Sequence, residues 1–214
     1  MRPQIILNCA ASADGKIALP NRKQLSISNT EDFERVHRIR SECDAIIVGI
    51  GTIIEDNPSL TVRNNSEAKP IRVILDTHCR IPPNSNVLQG NNKTIIAVGE
   101  NPEQTNIENA EVLKCGKEKI NLTELLDVLA KRGVGKILVE GGETVMWSFL
   151  KEQLFDEYNV FLSSMIIGGI KTPTIAGGKG FQDEQSILKL KFDSVKQIGN
   201  GILIKYKKRK IKIH

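Results

Sequence analysis

Short apolar runs rich in β-branched residues alternate along the chain with segments of helical periodicity, and this alternation narrows the choice of fold more than any other feature. It predicts an α/β protein with a mainly parallel central sheet and flanking helices, because parallel strands are joined by crossover helices that cover both faces. The predicted strands are residues 4–8, 45–49, 72–76, 94–98, 136–140, 157–163 and 201–207, and the predicted helices are residues 30–42, 122–132 and 144–152.

The C-terminal part of the chain has a different pattern. Its two predicted strands, 157–163 and 201–207, are separated by a glycine-rich, proline-containing loop without a clear helix. We therefore expect these strands to form an antiparallel addition at the edge of the sheet. The chain has 214 residues and contains neither a repeat nor a Ser- or Pro-rich linker, so residues 1–214 are expected to form one domain.

Composition excludes several classes of protein. Hydrophobic residues make up 40% and charged residues 26% of the chain, which is typical of a globular protein. The apolar runs are too short to cross a bilayer and the N-terminal segment lacks a signal-peptide core, so a cytoplasmic location without a membrane partner is expected. The four cysteines are dispersed and none has CxxC spacing, so neither a metal site nor a disulfide is expected.

A basic segment, YKKRKIKIH, occupies residues 206–214 of a chain whose net charge is +5. Such a segment could bind nucleic acid, or it could be the end of a strand whose lysines face solvent and discourage pairing with other chains. Aromatic residues account for only 4% of the chain and do not form a base-stacking set. We therefore expect no nucleic-acid partner, and nucleic-acid binding stays an alternative.

Two glycine turns follow predicted strands and are the main candidates for a ligand site. Gly49-Ile-Gly-Thr52 ends the strand 45–49, and Glu140-Gly-Gly-Glu-Thr144 ends the strand 136–140. Glycines at such positions expose backbone N–H groups to a phosphate at the positive end of a helix. The first turn lacks the third glycine of a dinucleotide fingerprint, because that position is Ile54, and either turn alone could be a plain helix start. Together they predict a site for a phosphorylated ligand that is divided between two strand ends.

The segment after the predicted strand 72–76 carries further polar candidates. Asp76 ends the strand and could accept a hydrogen bond from a ribose hydroxyl. Thr77, His78 and Arg80 could hold a 2′-phosphate, which would favour NADP over NAD. The same residues could equally form a plain surface turn.

The remaining candidates for acid–base chemistry are few. Asp14 and Lys16 lie in a turn after the first strand, where Lys16 could serve a phosphate or a proton transfer. His37 lies among arginines on the predicted helix 30–42 and is interpreted as a surface or interface residue. The chain contains no GxSxG, HExxH, Walker A or zinc-deaminase signature, so the chemistries of those motifs are not predicted.

Taken in order along nearly the whole chain, these segments resemble the reductases of riboflavin biosynthesis. The matching residues are 13–18, 36–40, 44–52, 56–63, 70–76, 139–144 and Trp147. In particular they resemble the stand-alone archaeal and fungal 2,5-diamino-6-ribosylamino-4(3H)-pyrimidinone 5′-phosphate reductases, which are related to the C-terminal reductase domain of the bifunctional bacterial enzyme. The resemblance implies a dihydrofolate-reductase-like fold, NADPH as hydride donor with NADH as an alternative, a phosphorylated pyrimidine ribotide as substrate, and a homodimer.

The resemblance also implies the residues of the site. It places cofactor contacts at Ala10, Ser26, Thr52, Asp56, Asp76, Thr77, His78, Cys79, Gly141, Gly142, Glu143 and Thr144. It places substrate contacts at Gln24, Arg40, Leu60, Arg63 and Glu140, and the two arginines suit the substrate phosphate. The candidate catalytic residues are Glu140, Asp14 and Lys16. The chain departs from the pattern at Glu143, where the archaeal pattern has glycine, and at Ala13, where it has leucine or a similar residue.

The implied reaction reduces a ribosylamine to a ribitylamine. Hydride adds to C1′ of the ring-opened imine, and a proton reaches the imine nitrogen from a donor that the sequence does not identify. The absence of a deaminase signature favours the diaminated substrate, because reduction then precedes deamination. The alternatives are a reductase of the deaminated ribotide, a dihydrofolate reductase and a nucleic-acid-binding module.

Overall fold

A computed structural model describes residues 2–23, 25–63, 65 and 67–209, and it builds them around one nine-stranded sheet. The strands are β1 (Gln4–Ser12), β2 (Ala45–Gly49), β3 (Ile71–Leu75), β4 (Thr94–Val98), β5 (Glu111–Lys114), β6 (Lys136–Val139), β7 (Glu157–Ser163), β8 (Leu190–Ile198) and β9 (Gly201–Lys208). The helices are α1 (Thr30–Ser41), α2 (Ile50–Asp56), α3 (Leu122–Lys131) and α4 (Glu143–Lys151), and a 3-10 helix covers Asn86–Leu88.

The strand order is β5-β4-β3-β2-β6-β1-β7-β9-β8. Strands β1 to β7 pair in parallel, whereas β9 pairs antiparallel with both β7 and β8. The predicted parallel sheet with an antiparallel C-terminal edge is therefore confirmed. Because the carboxyl ends of parallel strands meet at one edge of the sheet, the turns after β2, β3 and β6 lie near one another.

The sheet separates two hydrophobic cores. One face packs against α3 and α4 through residues such as Leu125 and Phe149, and the other packs against α2 and the 3-10 helix through residues such as Ile53 and Val87. Strands β2 and β4 are buried along their whole length. Burial on both faces explains why their sequences are continuous apolar runs, and both strands have the predicted bounds.

Capping residues fix the helix boundaries. The side chain of Asn29 accepts a hydrogen bond from the Asp32 N–H at 2.9 Å at the start of α1. Asn121 starts α3 in the same way, by accepting from the Glu124 N–H at 3.1 Å. Gly133 follows α3 with a φ of +86°, a conformation that glycine adopts without steric cost. Both helices were predicted with the observed first residue and end one residue earlier than predicted.

One α-helix, two strands and the short 3-10 helix were missed by the sequence analysis. Helix α2 has seven residues and contains Gly51, so it is too short to show helical periodicity. Strand β8 exposes nearly every residue and carries a bulge between Phe192 and Ser194, so neither burial nor alternation marks it. Strand β5 has only four residues. In addition, β1 runs on to Ser12, four residues past its predicted end.

The basic segment begins as a strand. Strand β9 extends to Lys208, which confirms the strand interpretation for its first residues. Ile211, Ile213 and His214, which belong to the same prediction, lie outside the described residues. Within the described part of the chain, no helix has both the length and the apolar character needed to cross a bilayer.

Candidate active site

The two predicted glycine turns meet at the carboxyl ends of β2 and β6, which are neighbours in the sheet. The Gly49 N–H donates to the Gly141 carbonyl at 2.9 Å, and the Glu140 N–H donates to the Ile47 carbonyl at 3.0 Å. Two backbone hydrogen bonds therefore join the segments. The structure brings together the two halves of the divided site that the sequence predicts.

The close approach of the two turns depends on glycine residues, which have no side chain. A Cβ atom at Gly49 would lie 2.8 Å from Cγ2 of Val145, which is closer than packed carbon atoms come. A Cβ atom at Gly142 would lie 3.4 Å from Oγ1 of Thr52. At Gly51, no atom of the described residues would lie within 4 Å of the added Cβ. Gly49 thus allows the turns to pack, whereas Gly51 and Gly142 leave backbone exposed.

A cleft opens between the N-terminal ends of α2 and α4. Its walls come from α2, from α4 and from the segment after β1, and they include Gly51, Thr52, Asp56, Gly142, Glu143, Thr144, Ile17, Ala18 and Arg22. Five predicted cofactor contacts are among them. The free N–H groups and the dipole at the start of α4 make this end of the cleft favourable for an anion.

Glu143 places a carboxylate at this positive helix end. Its Oε1 accepts a hydrogen bond from Arg22 Nη2 at 3.3 Å, and its Oε2 accepts one from the Thr174 N–H at 3.3 Å. These contacts tie two separate segments to the start of α4. The residue at which the chain departs from the archaeal pattern therefore bridges the walls of the cleft.

Asp56 contributes a second carboxylate to the cleft. Burial raises the pKa of Asp56 above its usual value, and the neighbouring Glu55 raises it further. Such a group holds a proton more readily than an exposed aspartate. Its oxygens can accept hydrogen bonds from a polar ligand in the cleft.

Arg40 and Glu140 form a bidentate ion pair next to the second glycine turn. Arg40 Nε donates to Oε1 and Nη2 donates to Oε2, both at 2.7 Å. The two side chains are 17% and 10% exposed. Burial opposes the charge on Arg40, but the charge and hydrogen bonds of Glu140 raise the pKa of the guanidinium.

The ion pair changes the role expected for Arg40. Its fork is engaged by Glu140, and its remaining Nη1 donates to the Thr61 carbonyl at 3.2 Å. The expectation that Arg40 presents a free fork to the substrate phosphate is therefore corrected. Arg63 is exposed and stays the arginine available for that phosphate.

The loop between α2 and β3 carries the other predicted substrate contacts. Leu60 is 3% exposed and packs in the core that contains Ile53. Its φ of +49° lies in the left-handed region, which is unfavourable for a branched side chain, so core packing holds it there. Leu60 therefore anchors the loop that presents Arg63.

The turn after β3 is only partly accessible. Asp76 is fully buried, as is Cys79, whereas Thr77 is half-buried and His78 is exposed. Burial raises the pKa of Asp76, and its carboxylate lies 3.9 Å from Arg80 Nε. The expectation that the Asp76 side chain accepts a hydrogen bond from a ribose hydroxyl is corrected, because that side chain is fully buried. The cofactor contacts expected of the turn as a whole stay a prediction.

Asp14 has a structural task in the turn after β1. Its carboxylate accepts hydrogen bonds from the Ser12 hydroxyl at 2.6 Å and from the N–H groups of Ile167 and Gly168 at 3.1 and 2.7 Å. These bonds, that from Ser12 first, lower the pKa of Asp14 to about 2. These bonds hold the Asp14 carboxylate in the turn, and its catalytic role stays a prediction.

The remaining predicted residues are spread around the cleft. Lys16 is half-buried, and its backbone pairs with Thr174. Ala10 is half-buried on β1 and packs against the small core containing Phe161, and Ser26 is exposed ahead of α1. Gln24 lies outside the described residues.

The sequence analysis missed the loop contact of His37 and a buried pair of asparagines. His37 contacts the loop that carries Arg63, because its Nδ1 accepts a hydrogen bond from the Arg63 N–H at 3.3 Å.

Asn8 and Asn159 are paired in register on β1 and β7, and both are buried. No described residue offers a hydrogen-bond partner to Asn8 Oδ1 or to the Asn159 amide. For Asn8 and Asn159, the feature of the sequence that could have indicated this pair is an asparagine inside an otherwise apolar strand.

The comparison with family models gives one match over most of the chain: the RibD C-terminal domain matches residues 3–204. The 2,5-diamino-6-ribosylamino-4(3H)-pyrimidinone 5′-phosphate reductase of Archaeoglobus fulgidus is 36% identical over 218 residues. That alignment covers 95% of this chain and 97% of the archaeal protein. The chain is thus similar over its length to a stand-alone reductase.

The chain is also similar to solved structures over nearly its whole length. The Thermotoga maritima diaminohydroxyphosphoribosylaminopyrimidine deaminase/5-amino-6-(5-phosphoribosylamino)uracil reductase superposes with a TM-score of 0.82 at 28% identity. The match covers 97% of this chain but only 57% of that one. Enterococcus faecalis dihydrofolate reductase superposes with a TM-score of 0.55 at 13% identity, covering 98% of this chain and 100% of the other. The predicted dihydrofolate-reductase-like fold is confirmed.

Proposed function

The chain belongs to the RibD C-terminal domain family, and from that membership we propose that it reduces 2,5-diamino-6-(ribosylamino)-4(3H)-pyrimidinone 5′-phosphate with NADPH. The chain is an oxidoreductase of riboflavin biosynthesis. The observation that carries the choice of substrate is the match to a stand-alone reductase over 97% of its length. We also propose that residues 1–214 act as a single reductase domain, since β1 and β9 belong to the same sheet.

The cleft has the features that a phosphate-bearing dinucleotide needs. Gly51 and Gly142 expose backbone where a ligand can approach, and the start of α4 offers free N–H groups to an anion. Thr52 and Thr144 add hydroxyl groups, and Asp56 adds a carboxylate that can accept hydrogen bonds. These residues would hold NADPH, which supplies the hydride when bound.

The substrate half of the proposed site adjoins the cofactor half. Glu140 immediately precedes Gly141, so the carboxylate held by Arg40 lies at the junction of the two. Arg63, which is exposed on the loop between α2 and β3, would bind the substrate phosphate with a charge-assisted fork. Arg40 would then fix Glu140 rather than bind phosphate itself.

A proton must reach the imine nitrogen of the substrate during reduction. Of the three candidate catalytic side chains, Glu140 is the one that its contacts hold within the proposed site. We assign it the transfer of a proton through a carboxylate oxygen toward that nitrogen, relayed from water. Its fork with Arg40 would keep the carboxylate in one orientation, which favours proton transfer along a defined path.

The reductase function is tested directly with the purified protein, NADPH and two synthetic ribotides, one diaminated and one deaminated. We expect a product two hydrogen atoms heavier than the substrate by mass spectrometry, with a higher kcat/KM for the diaminated ribotide. A preference for the deaminated ribotide would assign the alternative uracil-type reductase. No product from either ribotide would refute the function.

We further propose that the protein is a homodimer through one face of the β8–β9 hairpin. Phe192, Val195 and Ile202 are 59%, 57% and 46% exposed. The pairing of Phe192 with Tyr206 and of Val195 with Ile204 places these apolar side chains on one face. An exposed apolar face of this kind is typical of a protein–protein interface, and a self-complementary face suits a twofold dimer.

Sedimentation velocity tests the dimer. We expect Val195→Glu to shift the protein from dimer to monomer, because a carboxylate would be buried against apolar side chains of the second copy. Ser194→Glu is the matched control, since it adds the same charge at the neighbouring residue on the opposite face. A wild-type monomer, or equal dissociation in both variants, would contradict the proposed face.

A further inference from the structure

Helix α1 holds the backbone of the Arg63 loop at two points. Arg40 Nη1 donates to the Thr61 carbonyl at 3.2 Å, and His37 Nδ1 accepts from the Arg63 N–H at 3.3 Å. His37 and Arg40 are three residues apart and lie on the same side of the helix. Together the two side chains bind the backbone carbonyl of Thr61 and the backbone N–H of Arg63, and we call this pair of contacts the clamp. This clamp leaves the Arg63 side chain exposed.

The contact requires a particular form of the imidazole ring. A ring nitrogen accepts a hydrogen bond only when it carries no proton, so Nδ1 is bare and the neutral ring carries its proton on Nε2. If the ring gained a second proton, Nδ1–H would face the Arg63 N–H, and two donors would oppose each other. The loop contact therefore exists only with neutral His37.

The surroundings of the ring favour this neutral form. The charged groups that face it are Arg40 on its own helix, Arg63 on the loop and Glu140 at the end of β6. Burial lowers the pKa of His37 below its usual value, the two arginines lower it further, and Glu140 opposes them. With the pKa lowered, the neutral form of the ring predominates near neutral pH, and the ring gains its second proton as the pH falls through the lowered pKa.

We propose that His37 is a positioning residue for the substrate: its neutral ring fixes the Arg63 loop, and protonation of the ring releases that loop. This inference rests on the proposed function, in which Arg63 binds the substrate phosphate. Substrate affinity should then weaken at acid pH while the chemical step on bound substrate changes little.

Three variants at one position separate this role from others. Asparagine places an amide oxygen near the position of Nδ1 and does not titrate, glutamine places its amide near Nε2, and alanine removes both. At pH 7.5 we expect His37→Ala to raise KM for the ribotide about fivefold, the effect of one lost hydrogen bond, with kcat nearly unchanged. His37→Asn should restore most of the KM, and His37→Gln should not.

The pH profile supplies a readout that a merely structural role would not move. The substrate phosphate titrates with a pKa of about 6, but it does so equally with every variant. We expect KM of the wild type to rise more steeply toward pH 5.5 than KM of His37→Asn. Identical profiles, rescue by glutamine in place of asparagine, or an effect confined to kcat would overturn the inference.

NMR of the histidine rings distinguishes failure of this inference from failure of the proposed function. The chain has three histidines, so the His37→Asn variant identifies the His37 ring signals. We expect the neutral Nε2–H form at pH 7 and an apparent pKa below 6.5. If the His37 ring gives these results but the protein does not turn over ribotide, only the proposed function is refuted. If the protein turns over ribotide but the His37 ring carries its proton on Nδ1, only the clamp is refuted.

Discussion

Glu140→Gln is expected to lower kcat for ribotide reduction by roughly 10²-fold or more, the range for loss of a general acid–base group. The amide has the shape of the carboxylate but cannot transfer a proton to the imine nitrogen. The two glycine turns next to it keep their backbone hydrogen bonds, so, under the proposed function, the dissociation constant of NADPH should change little. Single-turnover kinetics at saturating NADPH and ribotide measure the effect on the chemical step.

A double variant separates catalysis from stability. Because Arg40 and Glu140 are mostly buried, Glu140→Ala leaves a buried charge without its partner and should lower the free energy of unfolding by about 3–5 kcal/mol. Changing both residues to methionine removes both charges, so it should recover most of that stability, as measured by urea denaturation. The double variant should nevertheless stay inactive. Turnover at the wild-type rate in either variant would remove Glu140 from the mechanism.

Gly142→Val should weaken NADPH binding by at least tenfold, about 1.4 kcal/mol. The added Cβ would lie 3.4 Å from Thr52 Oγ1, and the two methyl groups beyond it would occupy the cleft between α2 and α4. Fluorescence titration with NADPH gives the dissociation constant. If the cofactor lies elsewhere, the titration curve will match that of the wild type.

Gly135→Val is the matched control for this change. Gly135 precedes β6 at the opposite end of the strand from Gly142, and a Cβ there would meet Asp44 Oδ2 at 3.5 Å, an ordinary contact. The control should therefore fold and bind NADPH as the wild type does. A loss of affinity shared by both variants would indicate damage to β6 rather than a blocked cleft.

The parts of the fold that sequence predicted well are those with a buried face. Strands β2 and β4 are buried throughout, and α3 is capped by Asn121 at its start and followed by Gly133 after its end, so burial marks the strands and capping marks the helix. Strand β8 has no such mark, because it lies at the edge of the sheet and exposes almost all its residues. An edge strand is defined by its pairing with β9, and pairing leaves little trace in local composition.

The candidate site shows a similar division. Glycine turns at strand ends are visible in the sequence, and the structure joins Gly49 to Gly141. Side-chain partnerships across the fold are not visible, so the sequence assigned Arg40 to a phosphate although its fork is held by Glu140. The loop contact of His37 was missed for the same reason, because nothing near residue 37 in the chain reveals the Arg63 backbone. Asp14 and Asp76 were judged by residue type, and their surroundings decide their chemistry.

The hydrogen bond between Gly49 and Gly141 also constrains how the molecule reaches its native state. It joins parts of the chain that are separated by α2, β3, the 3-10 helix, β4, β5, α3 and β6. Closing so long a loop costs chain entropy before native contacts compensate for it, so this junction belongs to the slow, non-local part of folding. On the ribosome, the cleft cannot exist until β6 has emerged and inserted between β1 and β2. A ligand that binds in the cleft therefore binds only molecules whose sheet is complete, so it raises the apparent free energy of unfolding of the whole molecule.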